Sequence, residues 1–192
     1  QDFGLLWLLR TRLPDCAVHA STQMHAHNLN AVKYLKSLGV QRIVIARETP
    51  LELMKEMVRT GVEIETFVHG ALCVSYSGQC YLSSVTQNRS GKRGMCAQPC
   101  RFTYDLYKDG KKMDLKDSYL LSPKDLNTLP RLKELLDTNV SSLKVEGRMK
   151  RPEYVASIIR TYREAIDAIM QGNKPEYNEE DIRKLFNRGF TT

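Results

Sequence analysis

The hydrophobic pattern of this chain switches repeatedly between the spacing of a strand and that of a helix, and nothing else in the sequence restricts the fold as much. Residues 17–23 alternate as a short strand. A helix is expected over 28–38, with Leu29, Val32, Leu35 and Leu38 on one face and Gly39 as its stop. A buried strand over 41–47, a helix opened by Thr49-Pro50 and stopped by Gly61, and a third strand over 62–69 follow. Residues 119–122 read as a fourth strand, leading into a helix through Leu129, Leu132, Leu135 and Leu136, and 142–145 as a fifth. The clearest helix runs over 152–170, with Val155, Ile158, Ile159, Tyr162, Ile166 and Ile169 at helical spacing. Val/Ile-rich strands alternating with helices imply parallel βαβ units, hence an α/β fold. A closed eight-unit barrel takes about 250 residues, more than the 192 present. The expectation is a partial (β/α) TIM-like barrel over 1–172, missing strands upstream, with the start of a C-terminal extension over 173–192. An unclosed barrel leaves a strand edge exposed, which invites self-association.

Residues 70–118 break the alternation as one long insertion after the third strand. Within it, 102–108 followed by Asp109-Gly110 reads as a hairpin. The insertion also holds four of the five cysteines, Cys73, Cys80, Cys96 and Cys100. Four thiols gathered among glycines suit ligands of a shared centre. Their spacing matches neither zinc fingers and ribbons nor the ferredoxin runs. Spacing therefore says metal or cluster without choosing, and structural zinc stays open. Arg89, Lys92, Arg93 and Arg101 stand among the last two cysteines with no acid between 88 and 101. Such cations suit an anionic thiolate cluster, nucleic-acid phosphates, or both.

The net charge of +7 and pI near 9.2 fit a polyanionic partner such as RNA. No apolar run approaches the ~18 residues of a membrane span, and the first residues lack the pattern of a signal peptide. A cytosolic, thiol-reducing location is expected, in a chain that begins with Gln1 and reads as a fragment. In parallel α/β folds chemistry collects at the carboxyl ends of strands. There the second strand is expected to end in Arg47 and Glu48, the third to present Glu63, Glu65, Phe67 and His69 on one face, and the fifth Lys144, Glu146 and Arg148. Alternating charges are costly in a dry core unless paired, so Glu65, His69, Lys144, Glu146 and Arg148 are the candidate catalytic residues.

Glu65-Thr66-Phe67-Val68-His69-Gly70-Ala71-Leu72-Cys73, continued by Ser77-Gly78-Gln79-Cys80, resembles the signature of the collagenase-like peptidase family U32. The stretches 91–101 and 143–150 and the tail Phe186-Asn187-Arg188-Gly189-Phe190-Thr191 extend the resemblance over nearly the whole chain. The basic cysteine segment is most similar to the branch that hydroxylates a cytidine of ribosomal RNA; sister branches act on transfer RNA or the ubiquinone ring. The resemblance implies a barrel-like catalytic domain and an iron–sulfur-dependent RNA hydroxylase. It further implies a four-iron four-sulfur cluster on Cys73, Cys80, Cys96 and Cys100, with prephenate as a co-substrate. Related branches of the family do not all draw the fourth ligand from the same place, which leaves Cys16 open as a substitute; the residues themselves favour a buried core thiol behind the first strand. The alternatives are a peptidase, for which His69 and Cys73 would be the thiol–imidazole pair, and a zinc-stabilised RNA-binding module. No His-Glu-x-x-His site or Gly-x-Ser-x-Gly elbow is present.

Overall fold

The structure is a computed structural model that describes residues 1–185 and 187–191. Helix α1 (Phe3–Arg12), begun by the Asp2 carboxylate on the Leu5 amide, precedes the alternation. Then come β1 (His19–Ala20), α2 (Leu29–Ser37), β2 (Arg42–Val44), α3 (Leu51–Val58) and β3 (Glu63–Ala71). Helix α2 starts where the Asn28 side chain accepts the Ala31 amide, and it buries Val32 and Leu35. Helix α3 lays Met54 and Met57 on the same core. The insertion contributes α4 (Leu82–Gln87) and the hairpin of β4 (Tyr107–Lys108) with β5 (Lys111–Lys112). Asp109 and Gly110 both take positive φ, as a tight two-residue hairpin turn requires. Strand β6 (Asp125–Asn127), α5 (Leu132–Leu136), β7 (Ser142–Glu146), α6 (Pro152–Met170) and α7 (Glu179–Lys184) complete the chain.

Strands β1, β2, β3 and β7 are mutually parallel neighbours, and β6 runs antiparallel to the end of β3. The α/β reading thus holds at the level of a parallel-dominated sheet. That sheet is open, and no closed barrel forms among the described residues. Ile43, Ile45, Ile64, Val68, Leu132 and Ile158 fill the core between sheet and helices, each buried essentially completely. Burial of one such side chain contributes about 1.5–3 kcal/mol. Ile182 and Phe190, from the expected C-terminal extension, pack on this same core.

Four local expectations are corrected. Residues 119–122 form a turn, and the strand of that region is β6, three residues later and antiparallel. Its apolar neighbours Tyr119, Leu120 and Leu121 stay exposed, so they mimicked a strand without burying one. The first strand stops at Ala20: the Ser21 hydroxyl accepts the Gln23 amide and turns Thr22–Met24 into a single 3-10 turn. Helix α6 spans its expected residues but is rolled toward Tyr154, which is buried with Ile158, Tyr162 and Ala165 while Ile159 faces outward.

The fourth correction bears on the site. Strand β3 carries a bulge: Phe67 pairs with Lys144, His69 pairs with Val145, and Val68 has no counterpart on β7. One extra residue reverses the side-chain alternation, so His69 leaves the face of Glu65 and Phe67. The bulge is locked from behind, because the Val68 carbonyl accepts the Tyr162 hydroxyl at 2.8 Å and the Thr128 amide at 3.1 Å.

Candidate functional site

The carboxyl ends of β1, β2, β3 and β7 meet beneath the cysteine insertion, and a cavity of about 340 Å³ lies between them. Its walls include Gln23, Arg47, Phe67, Lys144, Glu146 and Arg148 from the strand ends. The four cysteines close it from above, each from a different turn of the insertion. Cys73 follows β3 by two residues, Cys80 precedes α4, Cys96 follows the turn Gly91–Arg93, and Cys100 lies in the turn Pro99–Arg101. All four thiols are free. Burial pushes the Cys100 thiol up, Arg101 opposes this, and Cys73, Cys96 and Cys80 add to the rise, so the four are within electrostatic reach of one another. Cys16 is exposed and stands outside the cavity wall, which also corrects its reading as a core thiol.

Two close backbone approaches hold the insertion over the strands. Gly78 has φ +76°, and a Cβ there would lie 2.5 Å from the Gln23 carbonyl oxygen. Gly70 has φ +100°, and a Cβ there would lie 2.4 Å from the Glu146 carbonyl oxygen. Ser77 adds a polar clamp. Its amide and hydroxyl donate to the two Glu48 carboxylate oxygens at 3.0 and 2.9 Å, and its hydroxyl accepts the Arg47 amide at 3.2 Å. Burial acts to raise the Glu48 carboxyl, but these bonds, its own amide and nearby His25 hold it below the usual carboxylate range.

The cavity floor is a paired row of charge. Arg47 bonds Glu146 at 3.0 Å and stacks its guanidinium 3.8 Å from the centre of the Phe67 ring. Burial lowers its pKa, and Glu146, Cys73 and Glu48 work against that. The other Glu146 oxygen accepts the Arg148 amide, and the Arg148 side chain reaches the Gly94 carbonyl in the insertion. Lys144 bonds Glu65 at 3.0 Å, and Glu65 also accepts from Ser142 at 2.8 Å and faces Arg42 at 3.6 Å. Burial acts to raise Glu65, but Ser142, Lys144 and Arg42 hold it low. Glu65 therefore braces Lys144 from beside the cavity, whereas Lys144, Glu146 and Arg148 line it. Alternating charges on one strand face are tolerable here because each has a partner.

His69 is not brought to this site. It is 1% exposed, packed against Tyr154, Tyr162 and Phe190 on the opposite side of β3. Burial drives its pKa down to about 4, with Asp125 and Asn127 opposing and Lys150 assisting, so the ring is neutral. Among the described residues no histidine lines the cavity. Of the basic residues in the insertion, Arg89 and Arg93 are exposed. Lys92 lies at the wall, donating to the Tyr81 hydroxyl at 2.6 Å. Arg101 is a strut: it donates to the Ser122 hydroxyl at 2.6 Å and to the Pro123 and Leu72 carbonyls at 2.8 and 2.5 Å. Arg47 and Glu48 stand at the expected second strand end and Phe67 on the expected third-strand face, but none is among the candidate catalytic residues, and nothing in the sequence marks Ser77 as the partner of Glu48.

The model of peptidase family U32 matches residues 1–192. The tRNA hydroxylation protein P1 of Bacillus subtilis is 41% identical over 162 residues, covering 81% of this chain and 38% of the relative. A 23S rRNA 5-hydroxycytidine synthase of Escherichia coli is 38% identical, covering 100% of this chain and 30% of the relative. A protein of Porphyromonas gingivalis named collagenase is also 38% identical, covering 90% and 46%. The chain thus spans less than half the length of these three relatives. No solved structure matches. Phe186, in the tail motif, lies outside the described residues, while the rest of that tail docks on β6 through the Asp125–Phe190 bridge. With motif, insertion and strand-end row all falling within the family match, the chain belongs to peptidase family U32.

Proposed function

We propose that this chain is catalytic-core sequence of an RNA hydroxylase, in which Cys73, Cys80, Cys96 and Cys100 hold a four-iron four-sulfur cluster above the charged strand ends. The observation that carries the reading is the arrival of four thiols, from four separate turns, on one cavity. The donor set fits. The thiols have cationic neighbours in Lys92 and Arg101, and the Gln98 amide donates to the Cys96 sulfur at 3.3 Å, contacts that favour an anionic thiolate centre. Among the described residues no three ligand-type side chains are gathered as a ready-made metal site, and structural zinc stays the alternative occupant. The curated relatives named for tRNA and rRNA hydroxylation support RNA as the substrate, as does the net charge of +7.

When bound, the cluster would supply one-electron chemistry. The chain's own residues do the rest. Arg47, held by Glu146 and Phe67, and Lys144, held by Glu65, would set fixed hydrogen-bond donors under a substrate. Arg89, Lys92 and Arg93 hold phosphate at the mouth. Prephenate belongs to the proposal as the co-substrate, and the cytoplasm as the place where such an enzyme meets its RNA. The parallel order of β1, β2, β3 and β7 is also what an arc of a (β/α) barrel presents.

The test is the full-length protein purified without oxygen, with iron, sulfide and visible absorption measured. The expected result is a coloured protein whose iron falls when any one of the four cysteines becomes serine and is unchanged in Cys16→Ser. A colourless, zinc-loaded protein would sink the cluster. Mass mapping of ribosomal and transfer RNA from a deletion strain then identifies the nucleotide. Peptidase action is the second reading, favoured by the relatives named collagenase. Its thiol–imidazole pair is not assembled, since Cys73 faces the cavity and His69 does not. Proteolysis lost in Cys73→Ala alone and kept in the other cysteine variants would restore it.

A further inference from the structure

A second cavity, of about 620 Å³, opens on the other side of the loop between β7 and α6 and shares Ala71, Gln98 and Arg148 with the first. Its lining is strongly basic: Arg148, Lys150, Arg151, Lys184 and Arg188, against the single carboxylate of Glu153. Some of this charge is committed. Arg188 bonds buried Asp125 at 3.2 Å, and Lys184 pairs with Glu180 and Asp181 on the surface of α7. Arg148 and Arg151 form no ion pair among the described residues. The uncapped N-terminus of the 19-residue α6 opens on the same wall through Arg151, Glu153 and Tyr154, adding the positive end of its dipole. A further observation points to a ligand. Tyr154 is 6% exposed and lines this wall, yet its hydroxyl has no protein partner.

From this geometry we infer that the second cavity is a phosphate subsite for the RNA strand, gripping the backbone next to the nucleotide whose base enters the cysteine cavity. The inference rests on the RNA reading above. It follows from adjacency: Arg148 borders both cavities, so a base seated in one sends its flanking phosphates across Arg148 toward the other. The cations are contributed by the β7–α6 loop, α7 and the tail rather than by one compact cradle. That spread suits an extended polyanion better than a small dianion. Bases taken out of a strand for chemistry are held in this manner, with the backbone tracked by a basic groove. Burial lowers the pKa of Lys150, Asp125 opposes, and Arg188 and Arg101 lower it further; an arriving phosphate would relieve that repulsion.

The experiment uses the full-length protein and a short single-stranded RNA oligonucleotide, with affinity measured against salt. Arg151→Gln with Lys184→Gln removes two exposed cations and leaves the Arg188–Asp125 pair intact; Arg160→Gln, on the same helix outside the cavity, is the charge control. An unchanged thermal midpoint in all variants certifies folding. The double variant is expected to flatten the slope of log K against log salt by about 1.4, from ~0.7 per lost phosphate contact, and the control to leave it unchanged. Calorimetry with sodium malonate supplies a small dianion. RNA bound with an unaltered slope by the double variant would overturn the subsite while leaving the RNA reading standing. Malonate binding that the double variant abolishes, with RNA affinity untouched, overturns it in favour of a small-anion pocket. A wild-type protein with no affinity for RNA removes both.

Discussion

Lowering the pH from 7 to 5 should destabilise the folded chain through His69, by an amount the structure sets. The ring is enclosed by Tyr154, Tyr162 and Phe190, faces Asn127, and feels Asp125 and Lys150. Burial is the largest influence and carries its pKa from 6.5 to about 4. Between those values the unfolded chain holds one more proton than the folded one, so stability rises with pH. The contribution is complete above the unfolded value and is lost as pH falls through the folded one, for a total of ~3 kcal/mol. From pH 7 to pH 5 the loss is ~2 kcal/mol. Glu48 and Glu65 lose stability in the same direction, but their lowered pKa values place that loss below the ordinary carboxylate value of 4.5. The assay is urea unfolding at both pH values for wild type and His69→Gln. Gln does not ionise, so the variant should be weaker at pH 7 from lost packing yet show a difference between the two pH values smaller by ~2 kcal/mol. Equal pH dependence in the two proteins would refute the argument, and would return His69 to solvent and to candidacy as an acid–base group.

Four other substitutions separate the parts of the site. Gly78→Ala drives a methyl into the Gln23 carbonyl and should cost ~2 kcal/mol or more. Gly94→Ala, with φ +76° but nothing within 4 Å, should cost about 1 kcal/mol; limited proteolysis of the insertion ranks the two. Tyr162→Phe removes the hydroxyl bond to the Val68 carbonyl and should cost ~1 kcal/mol or more. Its amide-exchange signature should be faster opening at Val68 and Thr128, with α6 otherwise protected. Arg47→Met keeps a long side chain over Phe67 but strands Glu146; modification activity of the full-length protein should fall tenfold or more, with a thermal midpoint lowered by only a few degrees.

Which of these features the sequence discloses depends on whether local pattern and tertiary position agree. Helix α6 is legible because Pro152 marks its start and the apolar spacing persists to Met170. The hairpin is legible because Asp109-Gly110 has one good conformation. Strand β6 is not, because its assignment rests on Asp125, a buried aspartate ion-paired to Arg188 from the far tail, and no periodicity rewards a charge at a core position. The bulge is not legible either. Phe67 and Val68 are apolar in both registers, and the extra residue is fixed by Tyr162 and Thr128, many residues later. Arg101 reads as a phosphate ligand from composition, and only the fold shows its donors already engaged by Ser122, Pro123 and Leu72.

The bulge is also what allows one strand to serve two purposes. Without it, the strict alternation of β3 would put His69 beside Phe67 and set an ionisable ring in the electrostatic field of Arg47, Lys144 and the cysteines. With it, the face toward the insertion carries Phe67, the platform for Arg47, and then Gly70, where the backbone must lie against Glu146. The opposite face carries Val68 and His69 into a packed layer with Tyr154 and Tyr162. Tyr154 belongs to that layer and to the wall of the basic cavity at once. A ligand that engages its hydroxyl would therefore press on the packing behind the bulge, and through it on the register of β3 against β7. Amide exchange at Val68 with and without RNA would read that coupling directly: slower opening on binding is the expected outcome, and an unchanged rate would mean that the two cavities are energetically independent.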